Sequence, residues 1–223
     1  MRKYNNGYYE RYAKICLREL VDKKFGDYIL ADSCDSTKNT FPDLIPSNDL
    51  ESIGVEITRA QTDKEGQTNA WLAQCFGEGL STDEINKIRE KDYHSLELKM
   101  ENICGTSCLL EDYKKDSSPV DLIKKAISTK LSKLNSPKEF SKKFKSNRLF
   151  ILIFPTIMLN KKDFNEILEF QQSLDSNRKF DFIYLFDTWQ LCTLDFNIPI
   201  KYESQSISPE LLSKIKKEAN PRE

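Results

Sequence analysis

Apolar residues recur at two different spacings along the chain, and these spacings predict an ordered series of helices and strands. One helical face is predicted from residues three or four positions apart: Tyr9, Tyr12, Ala13, Cys16 and Leu20. Gly26 can end this first helix. Three short apolar runs follow, and they predict strands over residues 28–30, 42–46 and 53–58, with Pro42 at the edge of the second strand.

The middle of the chain has a helical pattern. Residues 68 to about 100 are predicted to be helical, with a break at the sequence GEG and a restart at Ser81, where Ser81 and Glu84 fit a capping box. A clear amphipathic helix begins at Ser118-Pro119. Its apolar face consists of Val120, Ile123, Ile127 and Leu131, and lysines lie on its other side.

The last third predicts a strand, a helix and a strand. Residues 149–154 and 180–186 are apolar at almost every position, as expected of strands buried on both faces. Asn160 is placed to cap the helix between them, and such a unit usually makes a parallel pair of strands. The sequence WQLCTLDF is expected to add an edge strand, and Ser208-Pro209 opens a C-terminal helix.

This order of elements predicts the α/β class, with a sheet that carries helices on both faces. We expect residues 1–223 to form a single domain. Residues 81–147 are predicted to form a helical, basic elaboration between strands of the sheet.

Composition indicates a folded protein with an uneven charge distribution. Hydrophobic residues make up 39% of the chain and the formal net charge is −1, which argues against global disorder and against a general attraction to polyanions. Residues 114–148, however, carry eleven basic and three acidic side chains. Such a segment is either a solvated helical face or an electrostatic footprint for a polyanion.

Other features bear on location and partners. The chain starts with a polar segment, and no apolar run approaches the about 18 residues of a membrane-spanning helix, so we expect a cytoplasmic protein with no membrane partner. Cys16 and Cys192 lie in apolar contexts and are expected to be buried free thiols. The Cys104 and Cys108 pair, with His94, does not have a standard zinc spacing. The tyrosine-rich start of the chain predicts a groove or a homodimer interface.

Two carboxylates stand on neighbouring predicted strands. Asp43 begins the second strand and Glu56 lies within the third, between Val55 and Ile57. A carboxylate on an apolar strand is costly unless it is paired, hydrogen-bonded or bound to a cation. Oxygen ligands suit Mg²⁺ or Mn²⁺, so the pair predicts a divalent metal site.

These residues resemble the PD-(D/E)XK nuclease superfamily, which has the restriction-endonuclease-like fold. The resemblance rests on Gly7-Tyr-Tyr-Glu10-Arg11 in a first helix, then Pro42-Asp43, then Val55-Glu56-x-Thr58. It implies an α-β-β-β-α-β core with a helical insertion and metal-dependent hydrolysis of phosphodiester bonds. It also implies metal ligation by Asp43 and Glu56, with Glu10 as a supporting carboxylate.

One position departs from the family pattern. The motif lysine, which would stabilise charge at the reacting phosphate, falls on Thr58. Arg59 is expected on the opposite face of the strand. Lys14 on the first helix or Lys64 after the strand is therefore the candidate cationic group.

Under this resemblance the basic segment gains a role. Its lysines are expected to contact the DNA backbone without reading sequence: Lys124, Lys125, Lys130, Lys133, Lys142, Lys143 and Lys145. The sequence thus predicts a nuclease that acts on DNA with Mg²⁺ or Mn²⁺. The alternatives are an inactive scaffold of the same fold that binds nucleic acid or protein, and an unrelated α/β protein.

Overall fold

The computed structural model describes residues 3–30, 42–47, 52–61, 118–136, 144–153, 159–187, 189–197 and 199–219, with side chains from Tyr9 onward. Lys64, Lys142, Lys143, the predicted helical region 68–100 with its Ser81 capping box, and the Cys104, Cys108 and His94 group lie outside these residues.

Within the described residues, seven strands form one mixed sheet in which spatial order follows chain order. They are β1 (Tyr28–Leu30), β2 (Leu44–Pro46), β3 (Ile53–Ala60), β4 (Ser146–Ile153), β5 (Phe182–Phe186), β6 (Gln190–Asp195) and β7 (Lys201–Ser206). The three central strands β3, β4 and β5 run parallel to one another, and the outer pairs are antiparallel.

Four α-helices and one short 3₁₀ helix accompany the sheet in the described residues. They are α1 (Lys3–Leu20), the 3₁₀ helix (Lys23–Asp27), α2 (Pro119–Leu134), α3 (Lys161–Ser173) and α4 (Pro209–Ala219). Helices α2 and α3 start where the sequence predicts, and Ser118 and Asn160 close capping boxes at these starts. None of the described helices is both long enough and apolar enough to cross a membrane.

Apolar side chains alternate between the two faces of the sheet along each strand, and a hydrophobic core forms on each face. On β4, Leu149 and Ile151 belong to the core covered by α2 and α3, whereas Phe150 and Leu152 belong to the core covered by α1 and α4. This places helices on both faces and confirms the α/β class. Cys16 and Cys192 are buried free thiols, as predicted.

The predicted elements differ from the observed ones at the end of the first helix, in the bounds of several strands and at the edge of the sheet. The first helix ends at Leu20 rather than near Gly26, because the Val21 and Asp22 amides both donate to the Leu17 carbonyl and a separate 3₁₀ turn follows. The prediction of β6 as an edge strand is wrong, because β7 pairs along its whole length. The strand β7 is almost entirely exposed and polar, so it lacks an apolar signal.

Candidate functional site

Asp43 and Glu56 are brought together by the antiparallel pairing of β2 and β3. Leu44 is registered with Val55, and one further step along the ladder places Asp43 opposite Glu56. The amide of Ile57 donates to Oδ2 of Asp43 at 2.6 Å. The Asp43 side chain thus continues the ladder beyond the strand and is fixed next to Glu56.

Gly54 makes this approach possible. A Cβ atom at position 54 would lie 2.9 Å from the ring of Pro42 and 2.9 Å from the ring of Phe144, closer than real Cβ contacts. The missing side chain therefore lets the residue just before Asp43 pack directly on β3. Glycine inside a strand commonly marks such a close approach.

Glu56 is a deeply buried charged side chain, with only 2% of its surface exposed. Its Oε1 atom accepts from Nζ of Lys130 and from Nζ of Lys133, each at 2.6 Å. Its Oε2 atom is buried and has no hydrogen-bond partner among the described residues. An unpartnered carboxylate oxygen in the protein interior is costly, and a cation is one group that could satisfy it.

The two lysines come from α2, which packs on β3 and β4. Lys130 and Lys133 are three positions apart, so they lie on neighbouring turns of one helix face. They also follow the buried Ala126 by four and seven positions, which aligns them with the row of α2 that faces the sheet. The 19% and 27% exposure of their side chains leaves them at the border between core and solvent.

The electrostatic environment perturbs Asp43 strongly. Burial raises its pKa from 3.8 to about 7, and the negative charge of Glu56 acts in the same direction. The positive charge of Lys130 and the Ile57 amide oppose this rise, and Glu10 adds a smaller upward contribution. The Asp43 carboxyl is therefore easier to protonate than an exposed aspartate.

The other predicted site residues have different positions. Glu10 on α1 is half-buried and lies close enough for its charge to act on Asp43. Thr58 is half-buried and, by strand alternation, shares the β3 face of Glu56. The pKa of Lys14 is lowered, first by burial and then by the charge of Arg18, and Asp27 partly opposes this. The charged neighbours that act on Lys14 are therefore Arg18 and Asp27.

The predicted direction of Arg59 agrees with the structure. Its guanidinium lies over the ring of Tyr9 on α1, 4.8 Å from the ring centroid, on the face opposite the α2 lysines.

More lysines of the basic segment form ion pairs within the chain than the sequence suggests. Lys124 donates to Glu166 of α3 at 2.6 Å, and its ammonium lies 5.5 Å from the ring centroid of Phe170. Together with Lys130 and Lys133, it makes three lysines of α2 that bind carboxylates of this chain. Lys125 and Lys145 are exposed.

Sequence reasoning missed the cations that contact Glu56. It placed Lys130 and Lys133 among the DNA-backbone contacts and looked for the cationic helper at Lys14 or Lys64. A signal was present in the spacing, because Lys130 and Lys133 extend the row of Ala126 rather than the solvent face of α2. Gly54 was also missed, although it lies two positions before Glu56 within an apolar strand.

The donor set has consequences for metal binding. Asp43 and Oε2 of Glu56 could together bind one divalent cation, and waters or substrate oxygens would complete its coordination, as Mg²⁺ usually requires. The described residues contain no group of three or more His, Cys, Asp and Glu side chains arranged to hold a metal.

Comparisons with protein-family models, curated proteins and solved structures find no match to this chain.

Proposed function

We propose that this protein is a nuclease that hydrolyses DNA phosphodiester bonds with Mg²⁺ or Mn²⁺ bound by Asp43 and Glu56. The observation that carries the proposal is the convergence of these carboxylates on neighbouring strands, with Oε2 of Glu56 buried and unpartnered among the described residues. Like charges in a poorly solvated position repel unless a proton or cation lies between them. A divalent cation would supply Lewis-acid stabilisation of the phosphate charge and activation of water.

The architecture gives further support. Apart from the 3₁₀ helix between α1 and β1, the first described elements run α1, β1, β2, β3, α2 and β4, which agrees with the α-β-β-β-α-β order that the resemblance implies. The two carboxylates lie on β3 and just before β2, and the half-buried Glu10 lies on α1, as the same resemblance implies for the site. The nuclease fold remains part of this proposal.

The chain's own residues have separable tasks in this function. The Ile57 amide fixes one oxygen of Asp43, and Lys130 with Lys133 fixes one oxygen of Glu56. Each carboxylate therefore has a defined orientation and an oxygen left to bind a cation. Hydrolysis joins a water oxygen to phosphorus and breaks one P–O bond, and the leaving sugar oxygen takes up a proton.

A second candidate is a nuclease-like scaffold without activity. The ion pairs of Glu56 favour this second candidate, because Lys130 and Lys133 already compensate the charge of Glu56 without any metal. Thr58 in place of the motif lysine points the same way. In this case the protein would bind nucleic acid or protein but would not cleave it.

The test is calorimetric titration with Mn²⁺, combined with plasmid cleavage in Mg²⁺ and in a chelator. Wild type is compared with Asp43→Asn and Glu56→Gln, which keep side-chain size and one acceptor oxygen but remove the negative charge. The matched control is Glu166→Gln, which removes a carboxylate that also binds a lysine of α2 but lies on α3.

We expect Mn²⁺ binding and cleavage in wild type and in Glu166→Gln, and loss of both in the two site variants. Metal binding without cleavage of DNA or RNA would favour the inactive scaffold. Absence of Mn²⁺ binding in wild type, with and without DNA, would refute the proposed function.

A further inference from the structure

The two carboxylate oxygens of Glu56 have different hydrogen-bond partners, and this difference bears on how charge is balanced when a cation binds. Oε1 receives both ammonium groups of α2, whereas Oε2 receives no partner from the described residues. A cation approaching Asp43 and Oε2 would therefore enter without first displacing the lysines. Both lysines would then lie beside the cation, on the same carboxylate.

The charge count of such a site is unbalanced. A divalent cation and two ammonium groups bring four positive charges, against two negative charges from ionised Asp43 and Glu56. Glu10 offsets part of the surplus from a greater distance, since its effect on Asp43 is the smallest of the contributions. Excess charge in a site shielded from water is unfavourable, so the loaded site needs an anion.

Resting on the proposed function, we infer that the divalent cation and a phosphodiester bind cooperatively, and that Lys130 and Lys133 carry this coupling. In the absence of metal, Glu56 holds both ammonium groups. Once the cation shares the Glu56 charge, the ammonium groups bind a phosphate oxygen of the substrate. Each phosphodiester carries one negative charge, which matches the surplus better than a neutral ligand does.

The geometry supports lysine in this role. The two side chains remain about one-fifth to one-quarter exposed, so their ammonium groups can reach a ligand that arrives from solvent. Lysine carries a compact charge on a flexible stem, and it can move from a carboxylate to a nearby phosphate without a change of backbone. Lys124 has a similar ion pair on the same helix, but its partner Glu166 belongs to α3.

The experiment measures Mn²⁺ affinity by calorimetry with and without a short phosphorothioate DNA duplex, which resists cleavage. A methylphosphonate duplex serves as the uncharged ligand, and titration of each duplex without protein is subtracted. The variants are Lys130→Met and Lys133→Met, each of which leaves one ammonium on Glu56. Lys124→Met is the matched control, and Lys130→Arg tests rescue by charge.

We expect the charged duplex to raise Mn²⁺ affinity of wild type and of Lys124→Met by about tenfold, within the usual range of coupled sites. The methylphosphonate duplex should have no such effect. In Lys130→Met and Lys133→Met the enhancement, taken as the ratio of Mn²⁺ affinities of the same variant with and without the charged duplex, should fall to about threefold or less. Lys130→Arg should restore most of the coupling.

Two outcomes distinguish a failure of the proposed function from a failure of this inference alone. If wild type binds no Mn²⁺ in either condition, the proposed function fails, and this inference with it. If wild type binds Mn²⁺ but the enhancement is absent, or equals that of Lys130→Met and Lys133→Met, only the inference is overturned.

Discussion

Lys130 on α2 donates to Oε1 of Glu56 on β3 at 2.6 Å, although 74 positions separate the two residues in the chain. This contact places a positive charge next to β3, where the proposed nuclease resemblance would put a lysine at the position of Thr58. A positive charge therefore reaches the carboxylates from the helix that covers the strand.

Stability should depend on which lysine of α2 is neutralised. The double variant Lys130→Met/Lys133→Met leaves Glu56 buried without a described counter-charge, and removal of such partners typically costs about 3–5 kcal/mol. Lys124→Met breaks a pair whose acidic partner is 45% exposed, so its cost should stay below about 1 kcal/mol. Urea unfolding of both variants gives the comparison. Equal destabilisation would contradict the assigned burial of the Glu56 charge.

The pH dependence of stability should identify Asp43. In a chelator, folded Asp43 keeps its proton up to a pKa of about 7, whereas the unfolded chain releases it near 3.8. The unfolded state thus binds fewer protons between these values, and the free energy of unfolding falls as pH rises through this window. Asp43→Asn has no such decrease, so its advantage over wild type should grow from pH 4 and level off above pH 7.

The advantage at alkaline pH should be on the order of a few kcal/mol, since each pKa unit corresponds to about 1.4 kcal/mol. Urea unfolding at several pH values measures it. Under the proposed function, Mn²⁺ should shrink or reverse the difference, because the metal binds only folded wild type. A difference that stays constant from pH 4 to pH 8 would show that Asp43 is not perturbed.

Gly54→Ala should loosen the carboxylate pair. Its Cβ would meet ring atoms of Pro42 and Phe144 at 2.9 Å, and overpacking of this kind costs about 1–3 kcal/mol. The shift of Pro42 would carry Asp43 with it, so under the proposed function Mn²⁺ affinity should fall in a variant that still folds. Gly26→Ala is the control, because its Cβ would contact the flexible side chain of Arg18 at 3.1 Å. Equal effects of the two substitutions on Mn²⁺ affinity would argue against this role.

Under the proposed function, binding to DNA should depend on the lysines that are exposed. Reversal of Lys125 and Lys145 to glutamate is expected to weaken duplex binding, and the salt slope should fall by about 0.9 for each phosphate that the protein no longer neutralises. Lys124→Glu is the comparison, since Lys124 already binds Glu166. Fluorescence anisotropy at several salt concentrations measures both slopes. An unchanged slope in the Lys125 and Lys145 variant would remove them from the DNA interface.

Local signals predicted most of the described fold. The capping residues Ser118 and Asn160 and the apolar runs of β4 and β5 identify their elements because helix starts and doubly buried strands depend on nearby residues. The polar edge strand β7 has no such signal, since only its pairing with β6 defines it.

The candidate site was predictable only in part. Asp43 and Glu56 could be paired because the strands that carry them follow each other closely in the chain. The lysine partners of Glu56 could not be predicted in the same way, because the register between α2 and β3 is set by core packing rather than by sequence distance. Lysines on an amphipathic helix usually face solvent, and only the row of Ala126 marks these two as different.

The separation between Glu56 and its ammonium partners also bears on the order of events during synthesis. Both carboxylates leave the ribosome at least 74 residues before Lys130 and Lys133, which carry the counter-charges that a buried Glu56 needs. A nascent chain that stops before Lys130 cannot close this site. The carboxylate centre is therefore completed only after α2 has been synthesised, and until then Glu56 has neither of its ammonium partners.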